Sequence, residues 1–162
     1  MKKHLTFILS FTFMMIFSQI ENIKNGEKIT LRIHYGFLNA GYATLTANQV
    51  NYRNAPHYRV TGIGKSTGAV RAFFKVDDVY ESYINIATGL PSHYVRNVSE
   101  GGYKRYFETD FNHDNQTLVL TNKLDKTSKN FKTVKGIQDM ISAFYYLRSM
   151  DASNFKVGSS LK

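Results

Sequence analysis

Apolar and polar residues alternate along most of the chain after position 27, which is the pattern of β-strands that bury one face. In the first such segment Ile29, Leu31 and Ile33 share one face, and polar residues occupy the other. The alternation predicts eight strands, at residues 28–36, 42–50, 57–63, 76–85, 92–98, 103–111, 116–122 and 129–134. Because most of them are separated by short turns, we expect an antiparallel meander.

Turn-forming residues mark the borders of these strands. The segment Leu38–Gly41 predicts the first turn. Gly101 and Gly102 predict a tight hairpin turn, because glycine tolerates the positive φ that such turns need. Pro56 predicts a loop ahead of the third strand, since proline cannot donate to the hydrogen-bond ladder of a central strand.

Two segments depart from the period of two and predict helices. Residues 66–74 predict a short helix with Ser66 as its N-cap, and residues 139–150 predict a longer helix with Asp139 in its first turn. The longer helix has one apolar stripe, formed by Ile137, Met140, Ile141, Phe144 and Leu147. We therefore expect a mainly β fold, a curved antiparallel meander or open barrel, with the longer helix covering the sheet.

The first 18 residues have the pattern of a secretory signal peptide. A basic start is followed by an almost wholly apolar run up to Phe17, which is too short to span a bilayer as a helix. Cleavage between Ser18 and Gln19 would leave a single β-rich domain, residues 19–162. A strand-like pattern resumes at Phe155–Val157 and then stops, so we expect the domain to lack its final strands.

Composition and charge narrow the classes of function. The chain has no cysteine, which excludes a disulfide scaffold, a thiolate metal site and a cysteine nucleophile. The net charge is +9, and removal of the signal would lower it to +7 because Lys2 and Lys3 would leave. We expect an exported protein to meet neither nucleic acid nor nucleotides, and we expect no cofactor.

The segment Gly62–Thr67 resembles the end of a phosphate-binding loop. It lacks the first glycine of that motif, because Arg59 stands in its place. The pattern therefore favours a structural turn. Its functional alternative is an anion-binding site at Lys65 and Ser66, where the short helix is predicted to begin.

Two further patterns bear on metal binding and hydrolysis. Asp110–Asn115 has oxygen ligands at alternate positions, as a calcium loop does, but it lacks the glycine and final acid of that loop. Turn stabilisation by Asp and Asn is the simpler explanation, and we expect no metal. A hydrolase would need a histidine beside Ser82, Ser92 or Ser99, and no G-x-S-x-G motif presents a nucleophile, so we expect no enzyme.

Lysines recur at every third position of the last predicted hairpin. They are Lys123, Lys126, Lys129, Lys132 and Lys135. The spacing is typical of a solvated sheet edge, where lysine blocks edge-to-edge pairing. The functional alternative is attraction to anionic lipid headgroups or acidic glycans, and with it peripheral contact with a membrane.

Charged residues and tyrosines are densest between residues 73 and 106. The candidate ligand-binding residues there are Asp78, Tyr80, Glu81, Arg96, Tyr103 and Arg105. Acids fall on both faces of the strand at 76–85 and need partners, for which Arg96 and Arg105 are the nearest candidates. Cross-strand ion pairs are one explanation. The other is a polar, tyrosine-lined cavity that holds one end of an amphiphile.

Five motifs carry a resemblance to a known family. They are Arg32–Gly36, Asn39–Gly41, Phe73–Tyr83, Arg96–Tyr103 and Gln138–Arg148. Together they resemble the exported Gram-negative envelope proteins called domain of unknown function 3108. The resemblance covers most of the chain from Lys28 onward and implies an exported, mainly β protein, in the periplasm or at the periphery of the outer membrane. It implies no established activity and no catalytic residues.

These observations favour a non-enzymatic binding or carrier protein for an amphiphile or glycan. One alternative is an envelope assembly protein that acts through protein contacts, with the sheet edge or the lysine-rich hairpin as its interface. A hydrolase is the other alternative. The expected partners are accordingly a lipid, a glycan or another envelope protein.

Overall fold

Eight strands and two helices make up the part of the chain that the computed structural model describes, which is residues 23–151 and Gly158. The strands are β1 (Lys28–Tyr35), β2 (Leu38–Tyr52), β3 (Ala55–Ser66), β4 (Asp77–Asn85), β5 (Pro91–Glu100), β6 (Tyr103–Asn112), β7 (Thr117–Asn122) and β8 (Thr127–Lys132). The helices are α1 (Gly68–Phe73) and α2 (Met140–Ser149). The predicted signal peptide and the strand-like pattern at Phe155–Val157 lie outside the described residues.

The strands form one open sheet. Each strand pairs antiparallel with the next, in the order β1 to β8, so that β1 and β8 are its edges. The predicted meander of eight strands is therefore confirmed, as are the short and the long helix.

One face of the sheet carries the core. Ala47 lies opposite Val60, and Val60 lies opposite Ser82, so these three side chains share a face. All three are buried, and Ile141 and Tyr145 of α2 belong to the same buried cluster as Ala47 and Val60. We call this the inner face and the opposite one the outer face. As predicted, the longer helix covers the sheet.

Asp139 determines where α2 begins. Its Oδ1 accepts the backbone N–H groups of Ile141 and Ser142, both at 2.8 Å, and the Ser142 hydroxyl accepts the Asp139 N–H at 2.9 Å. This reciprocal capping box satisfies donors that a helix start otherwise leaves free. On β4, Ser82 donates to the other Asp139 oxygen at 2.6 Å, which ties the helix to the sheet. Burial raises the pKa of Asp139, while these hydrogen bonds act in the opposite direction.

The other end of α2 is held by an ion pair. Both terminal guanidinium nitrogens of Arg148 donate to the carboxylate of Glu27, just ahead of β1, at 2.5 and 3.1 Å. The hydrogen bond from Arg148 lowers the pKa of Glu27. The helix is therefore attached at both ends to the sheet that it covers.

The prediction that the apolar stripe of α2 is its buried face is wrong. The buried residues are Ile141, Ser142 and Tyr145, whereas Met140, Phe144 and Leu147 are exposed. The physical reason is hydrogen bonding: the hydroxyl of Ser142 is engaged in the capping box, and that of Tyr145 approaches Glu27 at 3.4 Å, so both polar residues tolerate burial.

Three local predictions also need correction. The first turn lies at Gly36 and Phe37, not at Leu38–Gly41, because Gly36 adopts the left-handed backbone with φ of 57°. Ser66 ends β3 and is not a helix cap, since its hydroxyl accepts the N–H of Val76 at 2.9 Å. Pro56 lies inside β3, beyond the last pair with β4, where no N–H is needed for that ladder.

Candidate functional site

The sheet register distributes the six candidate ligand-binding residues over both faces. Successive residues of a strand point to opposite faces, and directly opposed residues share one. Five candidates share the inner face with Ser82, namely Asp78, Tyr80, Arg96, Tyr103 and Arg105. Glu81 is the neighbour of Ser82 along β4 and therefore lies on the outer face. The six residues do not form one site.

Glu81 has a cross-strand partner that the sequence did not indicate. Arg59 of β3 donates to its carboxylate at 2.5 Å, and this contact raises the pKa of Arg59. The expectation that Arg96 or Arg105 pairs with this acid is wrong, because Arg59 lies diagonally across the outer face whereas both other arginines face inward. A cross-strand ion pair therefore accounts for Glu81, and a ligand cavity is not needed to explain it.

A cavity of about 240 Å³ opens on the inner face beside α1. Its walls are mostly apolar and include Ile33 of β1, Val70 of α1 and Val76 just before β4. The cavity lies where β1, β2 and β3 meet the connection that contains α1.

Glycines create this cavity. A side chain at Gly62 or at Gly64 would point to the inner face of β3. An added Cβ at Gly62 would lie 3.1 Å from Leu45 and 3.6 Å from Ile141. At Gly64 such an atom would meet only the Cβ of Asp78, at 3.7 Å. The core therefore fills the space over Gly62 and leaves the space over Gly64 open.

Gly41 permits the close strand approach at the floor of the cavity. A Cβ at this position would lie 2.4 Å from the backbone oxygen of Lys65, a distance that real Cβ atoms do not reach. Any larger residue would push β2 away from β3.

Asp78 is the charged side chain buried at the edge of the cavity, with 7% of its surface exposed. Its Oδ1 accepts the backbone N–H of Ser99 at 2.9 Å. Among the described residues no group donates to its Oδ2, and no basic side chain lies within 4.0 Å. A mostly buried carboxylate whose second oxygen stays accessible, with no donor from the described residues, can accept from a ligand that brings a hydrogen-bond donor or a positive charge.

Lys65 and Ser66, the predicted anion site, line the same cavity but face in different directions. Lys65 lies opposite Asp77 on the outer face, whereas Ser66 lies opposite Gly41 on the inner one. The N-cap of α1 is Thr67, whose side chain makes no capping hydrogen bond. Anion binding at this pair stays a prediction, and the contacts of Ser66 are those of a structural residue.

The remaining inner-face candidates lie towards β5 and β6. Burial raises the pKa of Tyr80, and Arg96 opposite acts in the other direction. Arg105 stacks over the ring of Tyr103 at 4.4 Å. Within the described chain no carboxylate lies within 4.0 Å of either arginine, so these two residues do not supply the partner of Asp78.

A serine–histidine contact was not indicated by sequence spacing. His57 Nε2 lies 2.8 Å from Ser92 Oγ, and its Nδ1 lies 2.9 Å from the carbonyl oxygen of Ala55. Because a carbonyl only accepts, Nδ1 donates to it, and Nε2 shares the other hydrogen bond with the serine hydroxyl. The imidazole is 2% exposed, and its orienting partner is a backbone carbonyl instead of a carboxylate.

The Asp110–Asn115 segment, whose pattern is partly that of a calcium loop, has other contacts. Asp110 forms an ion pair with Arg53 and lies 2.9 Å from Nδ1 of His93, and Asn112 accepts the N–H of Asn115 at 3.0 Å, as its turn interpretation predicts. In residues 23–151 no group of three or more His, Asp or Glu side chains is arranged to hold a metal ion.

Comparison with known proteins gives a family. A family model described as protein of unknown function (DUF3108) matches residues 30–162. Neither the curated proteins nor the solved structures include a significant match to the chain. None of the described helices is long and apolar enough to cross a membrane.

Proposed function

Because the chain belongs to the DUF3108 family, whose function is not established, we propose a function from the geometry of its own residues. The protein is a non-enzymatic binding protein for a small amphiphile. The apolar part of the ligand occupies the cavity beside α1, and a donor group on its polar head meets Oδ2 of Asp78. Export to the cell envelope is part of this proposal, and N-terminal sequencing of the protein from its host, with Gln19 expected first, tests it.

The proposal is supported by the combination of apolar walls with one mostly buried carboxylate, whose accessible Oδ2 receives no hydrogen bond from the described residues. A cavity filled by water alone would leave Ile33, Val70 and Val76 wet and unpacked. Its volume of about 240 Å³ is below the usual range for drug-sized ligands, which begins at about 300 Å³. A short alkyl chain with a small head therefore fits this space better than a glycan does.

Calorimetric titration with primary alkylamines of increasing length tests the proposal. Each added methylene should tighten binding up to about fourfold, which corresponds to ~0.8 kcal/mol, until the cavity is full. Octanoate, which has a similar chain and the opposite charge, should bind more weakly than octylamine because Asp78 repels it.

Two charge-removing variants locate the interaction. Asp78→Asn keeps an oxygen for the Ser99 N–H but removes the charge, and should weaken octylamine binding by about tenfold or more. Glu81→Gln makes the same change on the outer face and should leave binding unchanged. Equal affinities for wild type and Asp78→Asn, or no binding of any alkylamine, would overturn the proposal.

The hydrolase alternative is favoured by one observation, the Ser92–His57 contact at 2.8 Å. Serine hydrolases need a base that a third group orients and that the substrate can reach. Since His57 is almost fully buried and is oriented by a carbonyl, we expect no labelling by a fluorophosphonate probe. Labelling that disappears in Ser92→Ala would instead support the hydrolase.

A further inference from the structure

One end of the sheet carries exposed aromatic residues at its turns. In a meander every second connection lies at the same end. The end that includes Phe37 holds the connections 36–37, 67–76, 101–102 and 123–126, and we call it the aromatic end.

The apolar residues at these turns are unusually exposed. Phe37 is fully exposed at the first turn, and Phe73, at the end of α1, is 92% exposed. Phe74 and Leu124 are also more than half exposed. Turn tips normally carry small or polar residues, so a phenylalanine at such a position needs a reason outside local structure.

Three contacts link neighbouring elements at the aromatic end. Thr67 N–H donates to Ala40 O at 3.0 Å, which links the start of β2 to α1. A Cβ on Gly101 would lie 3.0 Å from the ring of Phe74, so this ring covers the 101–102 turn. Leu124 shares a hollow with Lys104 at the start of β6.

The opposite end of the sheet provides an internal comparison. Its turns lie at 53–54, 86–90 and 113–116. None of the large hydrophobic residues that the structure describes as exposed belongs to these three turns. The exposure of Phe37 and Phe73 is therefore not a general property of the turns in this sheet.

Basic residues lie at the same end of the sheet as the exposed aromatics. Lys104 and Lys126 are exposed at the aromatic end, and in the described part of the chain neither has a carboxylate within 4.0 Å. Lys75 stands between Phe74 and β4, and shares Asp77 with Arg71. Exposed apolar side chains that share one end of a protein with cations are typical of a surface that enters an anionic bilayer interface.

We propose that the aromatic end docks on an anionic lipid bilayer, with Phe37 and Phe73 inserted among the headgroups and Lys104 and Lys126 over their phosphates. Charge complementarity selects this occupant over a neutral protein surface. Val70 and Val76 of the cavity belong to the same connection as Phe73, so docking would bring the cavity to the lipid. The evidence for this docking surface is independent of the proposed amphiphile site.

Cosedimentation with vesicles tests this inference. The probes are vesicles of phosphatidylcholine alone and of an equal mixture of phosphatidylcholine and phosphatidylglycerol. Wild type should bind the mixed vesicles, and rising salt should release it. The double variant Phe37→Ser, Phe73→Ser should bind about tenfold more weakly or worse, because two exposed rings no longer enter the interface. Both side chains are exposed, so the fold should persist.

Two controls separate the possible explanations. Val134→Ser removes an exposed apolar side chain at the opposite end of the sheet and should not change vesicle binding. Asp78→Asn should also leave it unchanged, which distinguishes this surface from the amphiphile site. Absence of binding to the mixed vesicles, or equal binding by wild type and the double variant, would overturn the inference. The inference would also be overturned if the protein bound a protein partner in a salt-insensitive way and did not bind the vesicles.

Discussion

Tyr145→Ala should lower the free energy of unfolding by about 3–5 kcal/mol, the range for removal of a fully buried large aromatic side chain. Tyr145 has no exposed surface and joins α2 to the core cluster that contains Val60 and Ile84. Its removal would leave a cavity under the helix that covers the sheet. Urea denaturation followed by circular dichroism measures the loss.

Tyr145→Phe is the matched control. The Tyr145 hydroxyl that this variant removes makes only a long contact with Glu27, at 3.4 Å. Glu27 keeps its two hydrogen bonds from Arg148. We therefore expect a cost below about 1 kcal/mol for this variant. A similar loss in both variants would contradict the packing argument, as would a loss below about 1 kcal/mol in Tyr145→Ala.

Asp139→Ala should cost about 2–3 kcal/mol, because it removes a helix N-cap and leaves the buried Ser82 hydroxyl without its acceptor. Release of the buried carboxylate offsets part of this loss. Asp139→Asn retains an oxygen for the Ile141 and Ser142 N–H groups and an amide for Ser82, so it should cost less than about 1 kcal/mol. Equal losses in the two variants would show that the cap is not the cause.

Asp139 also makes the free energy of unfolding depend on pH. Burial raises the pKa of Asp139 above its ordinary value of 3.8, so the folded protein keeps this proton where the unfolded chain has lost it. The stability of wild type relative to Asp139→Asn should therefore be greatest below pH 3.8 and fall as pH rises through the raised pKa. Denaturation midpoints of both proteins over this window measure the difference. A difference that grows with pH would contradict the assigned direction.

Alternation was sufficient to predict eight strands and their antiparallel order, because each strand buries one face and the turns are short. It did not predict which charges meet. Arg59 pairs with Glu81 through the register of β3 and β4, and that register is set across the 67–76 connection, whose start the sequence misplaced by making Ser66 a helix cap instead of the last residue of β3. Pairing across a sheet is sensitive to such shifts.

The cavity was beyond sequence reasoning for a related reason. The Gly62–Thr67 segment indicates backbone freedom, but it does not show that Ile141 covers Gly62 and leaves Gly64 open. That difference depends on where α2 lies on the sheet. The apolar stripe predicted from the sequence indicated the wrong buried face for this helix. Asp78 was proposed as a ligand residue because of its neighbours, yet its relevance comes from burial beside the open glycine.

The most direct test of the amphiphile site is a crystal structure of the protein with octylamine. We expect the alkyl chain between Ile33, Val70 and Val76, with the amine nitrogen about 3 Å from Oδ2 of Asp78. Octylamine bound only elsewhere at saturation, with the cavity beside α1 empty or filled by water, would contradict it.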